Sequence, residues 1–281
     1  MKLSVIIAVY NRSYLLAKSL VSLKHQSLAP GELILSDDGS DEDIIAAIDP
    51  LVRSLPYPVK FVSQKHQGFR LAKCRNNGSK QASGDYLIFI DQDIVLNRSF
   101  LEICLKYRRE RQFCVALPVR LTADQSRLLT PEAIERGQWQ GIVTEAQRRK
   151  IKRQYYKDNF YRFLRALHLR RSGPKLRGGA VAINREDFVA INGYDENYQG
   201  WGNEDDDLGR RLYAAGLRGK NPFCDEFPLH LYHPPHHQDG ARVNKGYHSQ
   251  RKKAILRGDF RCQFGLDHPL GSEELVIRNL N

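Results

Sequence analysis

Two acidic residues, Asp91 and Asp93, stand two positions apart directly after an apolar run, in the segment IFIDQD at residues 88–93. If this run is a buried strand, both carboxylates leave its end toward one cleft. Carboxylate oxygens are the ligands that Mg²⁺ and Mn²⁺ prefer, and such an ion neutralises a diphosphate. By itself the triplet is a weak signal, because many surface loops carry two acids that are simply solvated.

A second acidic cluster, Glu204 to Asp207, follows a tryptophan flanked by glycines in the segment GWGNEDDD at residues 200–207. Four acids at the start of a predicted helix partly suit the helix dipole, which is the structural alternative. Four acids are more than a helix start needs. Because neighbouring carboxylates repel one another, such a cluster is expected chiefly beside a metal ion or a substrate with many hydroxyls. One of them, with a raised pKa, could accept a proton from an attacking hydroxyl, and Trp201 offers a face to a sugar ring.

Two further strand ends carry side chains that could bind a ligand. Tyr10 follows the first apolar run, and Asp37 and Asp38 follow the second. The ring could stack on a base, and a carboxylate could accept a hydrogen bond from a base N–H or a ribose hydroxyl. The alternative is that DDGS at residues 37–40 only turns the chain and caps the next helix, which these residue types also favour.

Four histidines lie within HLYHPPHH at residues 230–237. Strand alternation places His230 and Tyr232 on one face and His233 at the exit of the strand. A metal ion bound by Asp93 needs further ligands, and one of these imidazoles is a candidate. The other three histidines are expected to be ordinary surface or core residues.

The elements that must position these residues alternate between strand and helix over the first 120 residues. Apolar runs predict strands and amphipathic stretches predict helices: strands at 3–9, 32–36, 59–63, 86–90 and 114–119, and helices at 14–25, 41–54, 69–82 and 99–111. This order predicts an α/β fold with a mostly parallel central sheet flanked by helices. Ligands of such sheets bind at the carboxyl ends of strands, which is where the acidic pairs fall.

The pattern changes in the second half of the chain. Residues 121–175 form a polar, basic insertion that is predicted to be helical; a strand at 180–183 and helices near 185–191 and 204–215 follow it. No internal repeat or low-complexity linker separates these parts. We therefore expect a single domain over residues 1–281, made of a ligand-binding half (1–119), the insertion (121–175), a catalytic half (176–250) and a C-terminal extension (251–281).

The chain of 281 residues carries 44 Lys and Arg against 32 Asp and Glu, a net charge of +12. Between Arg148 and Arg177 twelve basic residues accompany one acid, Asp158, so this segment alone holds +11. A near-neutral body with one basic segment argues against a protein that wraps nucleic acid over its whole surface. The five cysteines lack CxxC spacing, and the first apolar run is too short to span a membrane, which favours the cytosol.

The basic segment also shows a helical apolar pattern, made by Ile151, Tyr155, Phe160, Leu164 and Leu167. A basic amphipathic helix can lie in the headgroup layer of an anionic membrane, where it would bring an enzyme to a lipid-linked acceptor. The alternative is a helix that packs on the sheet and exposes solvated charge.

The motifs, in their order and spacing, resemble those of the family 2 glycosyltransferases of the GT-A fold. The resemblance is carried by SVIIAVYNR at residues 4–12, SDDGS at 36–40, QGFRLAKCRNNG at 67–78 and DYLIFIDQD at 85–93. Residues 178–212, from GGAVAINRED to GWGNEDDDLGRRL, are similar to the acceptor-side segment of β4-galactosyltransferases and bacterial chondroitin-type polymerase modules. The resemblance implies metal-dependent, inverting transfer from a nucleotide-sugar, most often a UDP-sugar.

The resemblance also implies roles for individual residues. Asp205 would be the catalytic base, and Asp93 would hold Mn²⁺ or Mg²⁺ together with His233, for which His230 and His236 are the alternatives. Tyr10 would stack on the uracil, Asp38 would contact it and Asp91 would contact the ribose. The expected nucleotide-sugar-binding residues are Ala8, Tyr10, Arg12, Asp38, Arg75, Asp91 and Gln92. The residues expected at the donor or acceptor sugar are Gly179, Trp201, Gly202, Glu204 and Asp206.

We expect from this resemblance a hexosyl- or N-acetylhexosaminyltransferase of bacterial surface polysaccharide or lipopolysaccharide synthesis, cytoplasmic and peripheral on the inner face of the plasma membrane, with no nucleic-acid partner. Two rival functions stay open. A basic nucleic-acid-binding protein would explain the charge but not the acidic motifs. A metal-dependent phosphodiesterase would use the acids but needs two nearby ions. The donor sugar, the acceptor, the linkage and the oligomeric state do not follow from the sequence.

Overall fold

The computed structural model describes residues 1–139, 141–176, 179–234, 243–272 and 274–281. The described strands are β1 (Leu3–Val9), β2 (Glu32–Asp37), β3 (Val59–Ser63), β4 (Tyr86–Asp91), β5 (Ile94–Val95), β6 (Gln112–Val115), β7 (Val119–Arg120), β8 (Ala180–Asn184), β9 (Arg218–Lys220), β10 (Leu229–His230) and β11 (Val276–Asn279). The described helices are α1 (Ser13–Lys24), α2 (Ile44–Arg53), α3 (Leu71–Gln81), α4 (Phe100–Lys106), α5 (Ala123–Leu128), α6 (Pro131–Glu135), α7 (Glu145–Ala166), α8 (Arg185–Ala190), α9 (Glu204–Ala214) and α10 (Lys245–Leu256).

The central sheet contains eight strands in the order β11-β3-β2-β1-β4-β8-β6-β9. Pairing is parallel from β3 through β2 and β1 to β4, and again between β6 and β9. Strand β8 is antiparallel to both of its neighbours, and β11 is antiparallel to β3. The predicted mostly parallel central sheet is therefore confirmed.

Helices cover both faces of this sheet because its central strands are apolar on both faces. On β1, Val5 and Ile7 face the core formed with α1, α2 and α4, while Ile6 faces the core formed with α3, α8 and α9. Strand β8 follows the insertion in sequence yet lies between β4 and β6. Because the two halves of the chain share one sheet in this way, we retain the single domain over residues 1–281 as a proposal.

Several predicted element boundaries differ from the structure. The strand predicted at 114–119 is two strands, β6 and β7, separated by residues 116–118, where Pro118 lacks the N–H that a strand pairing needs. Helix α2 begins at Ile44 instead of residue 41, because the Asp43 side chain caps it by accepting a hydrogen bond from the Ala46 N–H. Helix α4 ends at Lys106, five residues earlier than predicted.

The helical insertion is confirmed, but it consists of α5, α6 and α7 in succession. Each helix begins after a threonine, Thr122, Thr130 or Thr144, whose hydroxyl accepts a hydrogen bond from the third residue of the helix. At Thr122 and Thr144 the side chain of the glutamine three residues later also accepts a hydrogen bond from the threonine backbone N–H. This second bond completes a capping box.

The apolar residues predicted to form one face of α7 lie on two faces. Ile151 is buried, whereas Phe160 and Leu167 are exposed. The reason is geometric: nine residues separate Ile151 from Phe160, about two and a half turns at 3.6 residues per turn, which places them on opposite sides. Within the described ranges, no helix combines the length and the apolar character that crossing a membrane requires.

A buried ion pair anchors α9 to the body of the protein. The side chains of Asp207 and Arg211 are both fully buried, with Nε of the arginine 2.5 Å from the carboxylate. Arg211 also donates to the backbone carbonyls of Ile191 and Gly193. The pair therefore connects α9 to the loop that follows α8.

Replacing Arg211 by methionine would remove the closer cation of the buried Asp207 carboxylate and leave it only Nε of Arg251, at 4.0 Å, so we expect the free energy of unfolding to fall by about 3–5 kcal/mol. Urea denaturation at neutral pH measures this loss. The matched control is Arg210→Met, because Arg210 is half-exposed and pairs with Asp206 near the surface; its effect should stay within about 1 kcal/mol. Equal losses in the two variants would contradict the anchoring role of the buried pair.

Candidate active site

The carboxyl ends of β1, β2 and β4 form one edge of the sheet. Val9 pairs with Asp37 across β1 and β2, and Ala8, which is buried, pairs with Asp91 across β1 and β4. The side chains predicted at three separate strand ends are thereby brought to one edge, as the parallel topology requires.

Tyr10 lies just beyond the end of β1, in a strained loop. Asn11 and Arg12 both adopt left-handed backbone conformations, with φ of 51° and 56°, which non-glycine residues rarely do outside over-determined sites. Gln92 holds this loop: its Oε1 accepts a hydrogen bond from the Tyr10 N–H at 2.9 Å, and its amide donates to the Tyr10 carbonyl at 3.1 Å. Gln92 thus contacts the loop that carries the aromatic ring.

The face of Tyr10 is stacked on His66, with ring centroids 4.6 Å apart and planes 16° from parallel. His66 in turn lies with Nδ1 2.9 Å from the carbonyl oxygen of Asp38. The sequence analysis did not identify His66. Its position in the KHQG segment beside the family motif at 67–78 is the signal that was available.

Asp38 is buried at the end of β2. One carboxylate oxygen accepts from the Gln64 amide at 2.5 Å and the other from the Arg70 N–H at 2.9 Å. Burial raises the pKa of Asp38, and these two hydrogen bonds oppose the rise. The alternative that residues 37–40 cap the next helix is wrong: Asp37 accepts bonds from Gly39 and Ser40 within its own turn, while Asp43 caps α2.

Asp93, His230 and His233 come together where the small second sheet meets β4. Antiparallel pairing of β10 with β5 places His230 opposite Ile94, next to Asp93 in sequence. The Nε2 atoms of His233 and His230 lie 2.8 Å and 3.6 Å from Oδ2 of Asp93. All three ligand atoms lie within 4.8 Å of one another. His236, the third alternative, lies outside the described residues.

The donor chemistry of these three residues fits a divalent cation. Nδ1 of His230 is 2.8 Å from the Leu231 carbonyl, and Nδ1 of His233 is 2.9 Å from the Pro234 carbonyl. Because a carbonyl only accepts, each ring donates from Nδ1, and its Nε2 faces Asp93. In the neutral form of the ring, this Nε2 offers its lone pair to a cation. Oδ1 of Asp93 is buried without a hydrogen-bond partner among the described residues. A set of two imidazoles and a carboxylate suits a divalent metal ion.

A buried arginine joins two acids at the centre of the edge. Arg75, on α3, donates from Nη2 to Asp91 at 2.5 Å and from Nη1 to Asp205 at 3.0 Å. Its guanidinium also lies over the ring of Tyr194, 5.0 Å from the centroid. The Tyr194 hydroxyl reaches the same Asp205 oxygen at 3.4 Å. Tyr194 was missed by the sequence analysis, although it lies in the NGYDENY part of the acceptor-side segment.

Glu204 and Asp205 begin α9 beside this arginine. Burial raises the pKa of Asp205, against the positive charge of Arg75 and with the help of Asp91. Burial and the neighbouring charge of Asp205 raise the pKa of Glu204 to about 8. Burial therefore favours the protonated form of both acids, and the positive charge of Arg75 opposes it.

The other predicted sugar-site residues have different surroundings. Asp206 turns to Lys175, Arg210 and His248, at 2.8–3.0 Å, and does not reach Arg75. Trp201 is 42% exposed, in a loop where Gly200, Gly202 and Asn203 all have left-handed φ. Gly179 precedes β8 with φ of 112°, and a side chain there would press on Pro118 and Ile94. Arg12 donates to the Pro234 carbonyl, on the histidine loop.

Two family models match the chain. The model described as glycosyl transferase family 2 matches residues 4–187, and the model described as N-terminal domain of galactosyltransferase matches residues 158–237. The first match covers more than half of the chain and includes every strand end described above except β10. The chain belongs to glycosyl transferase family 2.

Relatives of this family 2 member include validoxylamine A glucosyltransferase from Streptomyces hygroscopicus subsp. limoneus, 29% identical over 76% of this chain and 48% of the relative. Chondroitin synthase from Escherichia coli is 28% identical over 76% of this chain and 32% of the relative. The chain thus spans about half or less of these proteins. The TarS structure from S. aureus, in complex with UDP-GlcNAc, superposes with a TM-score of 0.59 at 17% identity, over 95% of this chain and 69% of that one. The predicted GT-A fold is confirmed.

The arrangement around Asp93 predicts a cation site in this family 2 chain. We expect Asp93→Ala and His233→Ala to weaken Mn²⁺ binding about 100-fold or more, and His230→Ala to weaken it less, because His230 lies farther from the carboxylate. Isothermal titration with MnCl₂ in the presence of UDP measures the affinity. The control is His168→Ala, an exposed histidine at the end of α7. Unchanged affinity in both Asp93→Ala and His233→Ala would refute the site.

The raised pKa of Glu204 also predicts a pH-dependent stability. Between about pH 4.5 and pH 8 the folded protein keeps a proton on Glu204 that the unfolded chain has released, so stability falls as the pH rises through this window. We expect Glu204→Gln to stabilise the protein by about 1–3 kcal/mol at pH 8 and by less at pH 5. Urea unfolding at both values tests this, with the exposed Glu110→Gln as control. A difference that is constant with pH would contradict the assignment.

Proposed function

We propose that this chain is a metal-dependent, inverting glycosyltransferase that transfers a hexosyl or N-acetylhexosaminyl group from a UDP-sugar to a hydroxyl of a glycan acceptor. The observation that carries the proposal is the contact of Arg75 with both Asp91 and Asp205. In this contact one guanidinium pairs with the strand-end carboxylate of Asp91, which we assign to the donor, and with the carboxylate of Asp205 from the acceptor-side segment. Sugar transfer needs a group that binds the donor and a base that accepts the proton of the acceptor hydroxyl, and the two must lie close together.

The donor would bind along the ends of β1, β2 and β4. We assign the uracil to Tyr10 and Asp38, with His66 beside the ring, and the ribose to Asp91. Ala8, Arg12, Arg75 and Gln92 complete this subsite; Gln92 acts by holding the Tyr10 backbone. The choice of a UDP-sugar is supported by the GT-A fold shared with TarS, whose structure contains UDP-GlcNAc.

Asp93 and His233 would hold Mn²⁺ or Mg²⁺, with His230 as a further ligand. When bound, the ion neutralises the diphosphate and stabilises the leaving UDP. The protein prepares the ligands by hydrogen-bonding both Nδ1 atoms to backbone carbonyls, so that the rings cannot turn away.

Asp205 would be the catalytic base. As the acceptor oxygen attacks the anomeric carbon, its hydroxyl proton passes to Asp205, the new C–O bond forms on one face of the sugar, and the bond to the phosphate oxygen breaks on the other. Attack from the opposite face inverts the anomeric configuration. Burial raises the pKa of Asp205, which makes its carboxylate a stronger base, while Arg75 and Tyr194 hold one oxygen in place.

The sugars would bind in front of α9, where Trp201 supplies an exposed ring face and Gly202 leaves open space. Gly179 and Glu204 border this region, and Glu204, protonated near neutral pH, can donate a hydrogen bond to a sugar oxygen. Asp206 is engaged by three basic side chains and acts, in our proposal, by positioning α9.

We further propose a role in bacterial surface polysaccharide or lipopolysaccharide synthesis at the cytoplasmic face of the plasma membrane. The relationship to the Escherichia coli chondroitin synthase supports a polysaccharide product. A glycan on a lipid carrier would be the acceptor at that location.

The sharpest test of the base is Asp205→Asn, which removes the proton acceptor and keeps the shape. We expect transfer to fall by about 10²- to 10⁴-fold while UDP binding stays within a few-fold of the wild type. A screen of nucleotide-sugars with Mn²⁺ identifies the donor through UDP release, and NMR of the product gives the anomeric configuration. Asp225→Asn, a surface acid paired with Lys152, is the control. Retained turnover in Asp205→Asn would remove Asp205 from the chemistry; nucleic-acid cleavage without sugar transfer would refute the function.

A further inference from the structure

The outer face of α7 carries a row of exposed apolar side chains. Tyr156, Phe160, Phe163 and Leu167 are separated by three or four residues, so they line one side of the helix. Each is between 52% and 66% exposed, and Leu169 just beyond the helix is 70% exposed. We call these five residues the outer stripe. Three of the five, Tyr156, Phe163 and Leu169, were not in the sequence-predicted apolar pattern.

Positive charge surrounds the outer stripe. Between Arg148 and Arg171 the chain has ten Lys and Arg residues and one acid, Asp158. Asp158 is buried on the opposite side of the helix, where it accepts hydrogen bonds from Gln154 and Asn221. The exposed basic residues on or beside this side of the helix include Arg149, Arg153 and Lys157, and also Lys152, which pairs with the exposed Asp225. Arg177, the last residue of the predicted basic segment, lies outside the described residues.

The inner face fixes the orientation of α7. Ile151 packs into an apolar cluster with Val143 and Phe227, and Asp158 bonds to Asn221. Near the C-terminal end, Arg165 lies over the ring of Tyr213, on α9, and donates to its carbonyl. Because this face is occupied by the protein itself, the outer stripe is held outward.

We propose that the outer stripe of α7 docks on an anionic phospholipid bilayer, with the helix parallel to the surface, the stripe inserted among the acyl chains and the flanking Lys and Arg at the phosphates. A basic face around an apolar row complements a bilayer that offers hydrocarbon beneath negative charge. A nucleic acid would use the arginines and the aromatic rings but would leave Leu167 and Leu169 in water. Of these two partners, only the bilayer accounts for every member of the stripe.

This surface is coupled to the candidate active site, and the next step rests on the proposed function. Helix α7 contacts α9 through Arg165 and Tyr213, and Lys175, on the segment after α7, pairs with Asp206 beside the proposed base. Docking would therefore set the acceptor side of the site at a fixed height above the bilayer. A saccharide carried on a lipid phosphate is the acceptor class that such a geometry serves.

Vesicle sedimentation with the full chain tests the docking. We expect binding to phosphatidylcholine vesicles containing 30% phosphatidylglycerol, little binding to pure phosphatidylcholine, and weakening by salt. The triple variant Y156S/F160S/F163S should lose at least tenfold in affinity, and R149Q/R153Q should lose about fivefold per charge. The matched controls are Leu128→Ser and Leu256→Ser, exposed apolar residues on α5 and α10, and the charge variant K245Q/K253Q on α10.

A depth probe distinguishes insertion from simple charge attraction. Phe160→Trp should be quenched by vesicles of brominated anionic lipid beyond the signal of the native tryptophans, whereas Leu128→Trp should not. Equal binding to neutral and anionic vesicles, no binding, or binding that the triple serine variant retains would overturn the proposal. The proposal would also be overturned if the protein did not bind vesicles and the stripe was instead required for self-association or for binding a polynucleotide.

Donor hydrolysis separates this proposal from the catalytic one. UDP release without acceptor should be equal in the wild type and in the triple serine variant, because the stripe lies outside the candidate active site. Transfer to a lipid-linked acceptor in vesicles should fall in that variant, while transfer to a water-soluble saccharide should not. If no donor is hydrolysed but vesicle binding follows the stripe, the proposed function fails and the docking stands.

Discussion

The candidate site depends on one buried cation. Arg75 is nearly inaccessible to solvent, yet it contacts the carboxylates of Asp91 and Asp205 and lies over Tyr194. Holding two partly buried carboxylates side by side, with the buried Glu204 next to them, is unfavourable without a compensating charge. Burial acts against the charged form of the arginine, but Tyr194, Asp205 and Asp91 together raise its pKa well above the ordinary value. The guanidinium thus holds the end of β4 and the start of α9 at a fixed separation.

The four consecutive acids of α9 divide into two functions because a helix turns by about 100° per residue. Glu204 and Asp205 face Arg75, and both have raised pKa values. Asp206 and Asp207 turn to cations on other sides: Lys175 and Arg210 lower the pKa of Asp206 to about 2, against the effect of its burial, and Arg211 pairs with Asp207 inside the core. The second pair fixes the helix that presents the first. A run that exceeds the needs of a helix cap is thereby explained residue by residue.

Much of this arrangement was predictable from local patterns. The strand ends that carry Tyr10, Asp38, Asp91 and Asp93 were correct to within one residue, because apolar runs and their polar exits are local features. The apolar pattern of α7 was wrong, because the prediction joined residues nine positions apart that lie on opposite sides of the helix. His66 and Tyr194 were missed, since nothing in their own segments shows that they contact Tyr10 and Asp205 from elsewhere in the chain.

The sequence by itself determined the order of strands and helices, the acidic motifs at the strand ends and the family to which they point, since these depend on residue types at short spacing. Only the tertiary structure decided which distant groups meet. Pairing of β10 with β5 brings His230 and His233 to Asp93, and α3 carries Arg75 between Asp91 and Asp205. It also decided which face of α7 stays exposed, because that choice depends on what packs beneath the helix. Contacts between residues more than a hundred positions apart are set by the packing of whole elements, and no local pattern contains them.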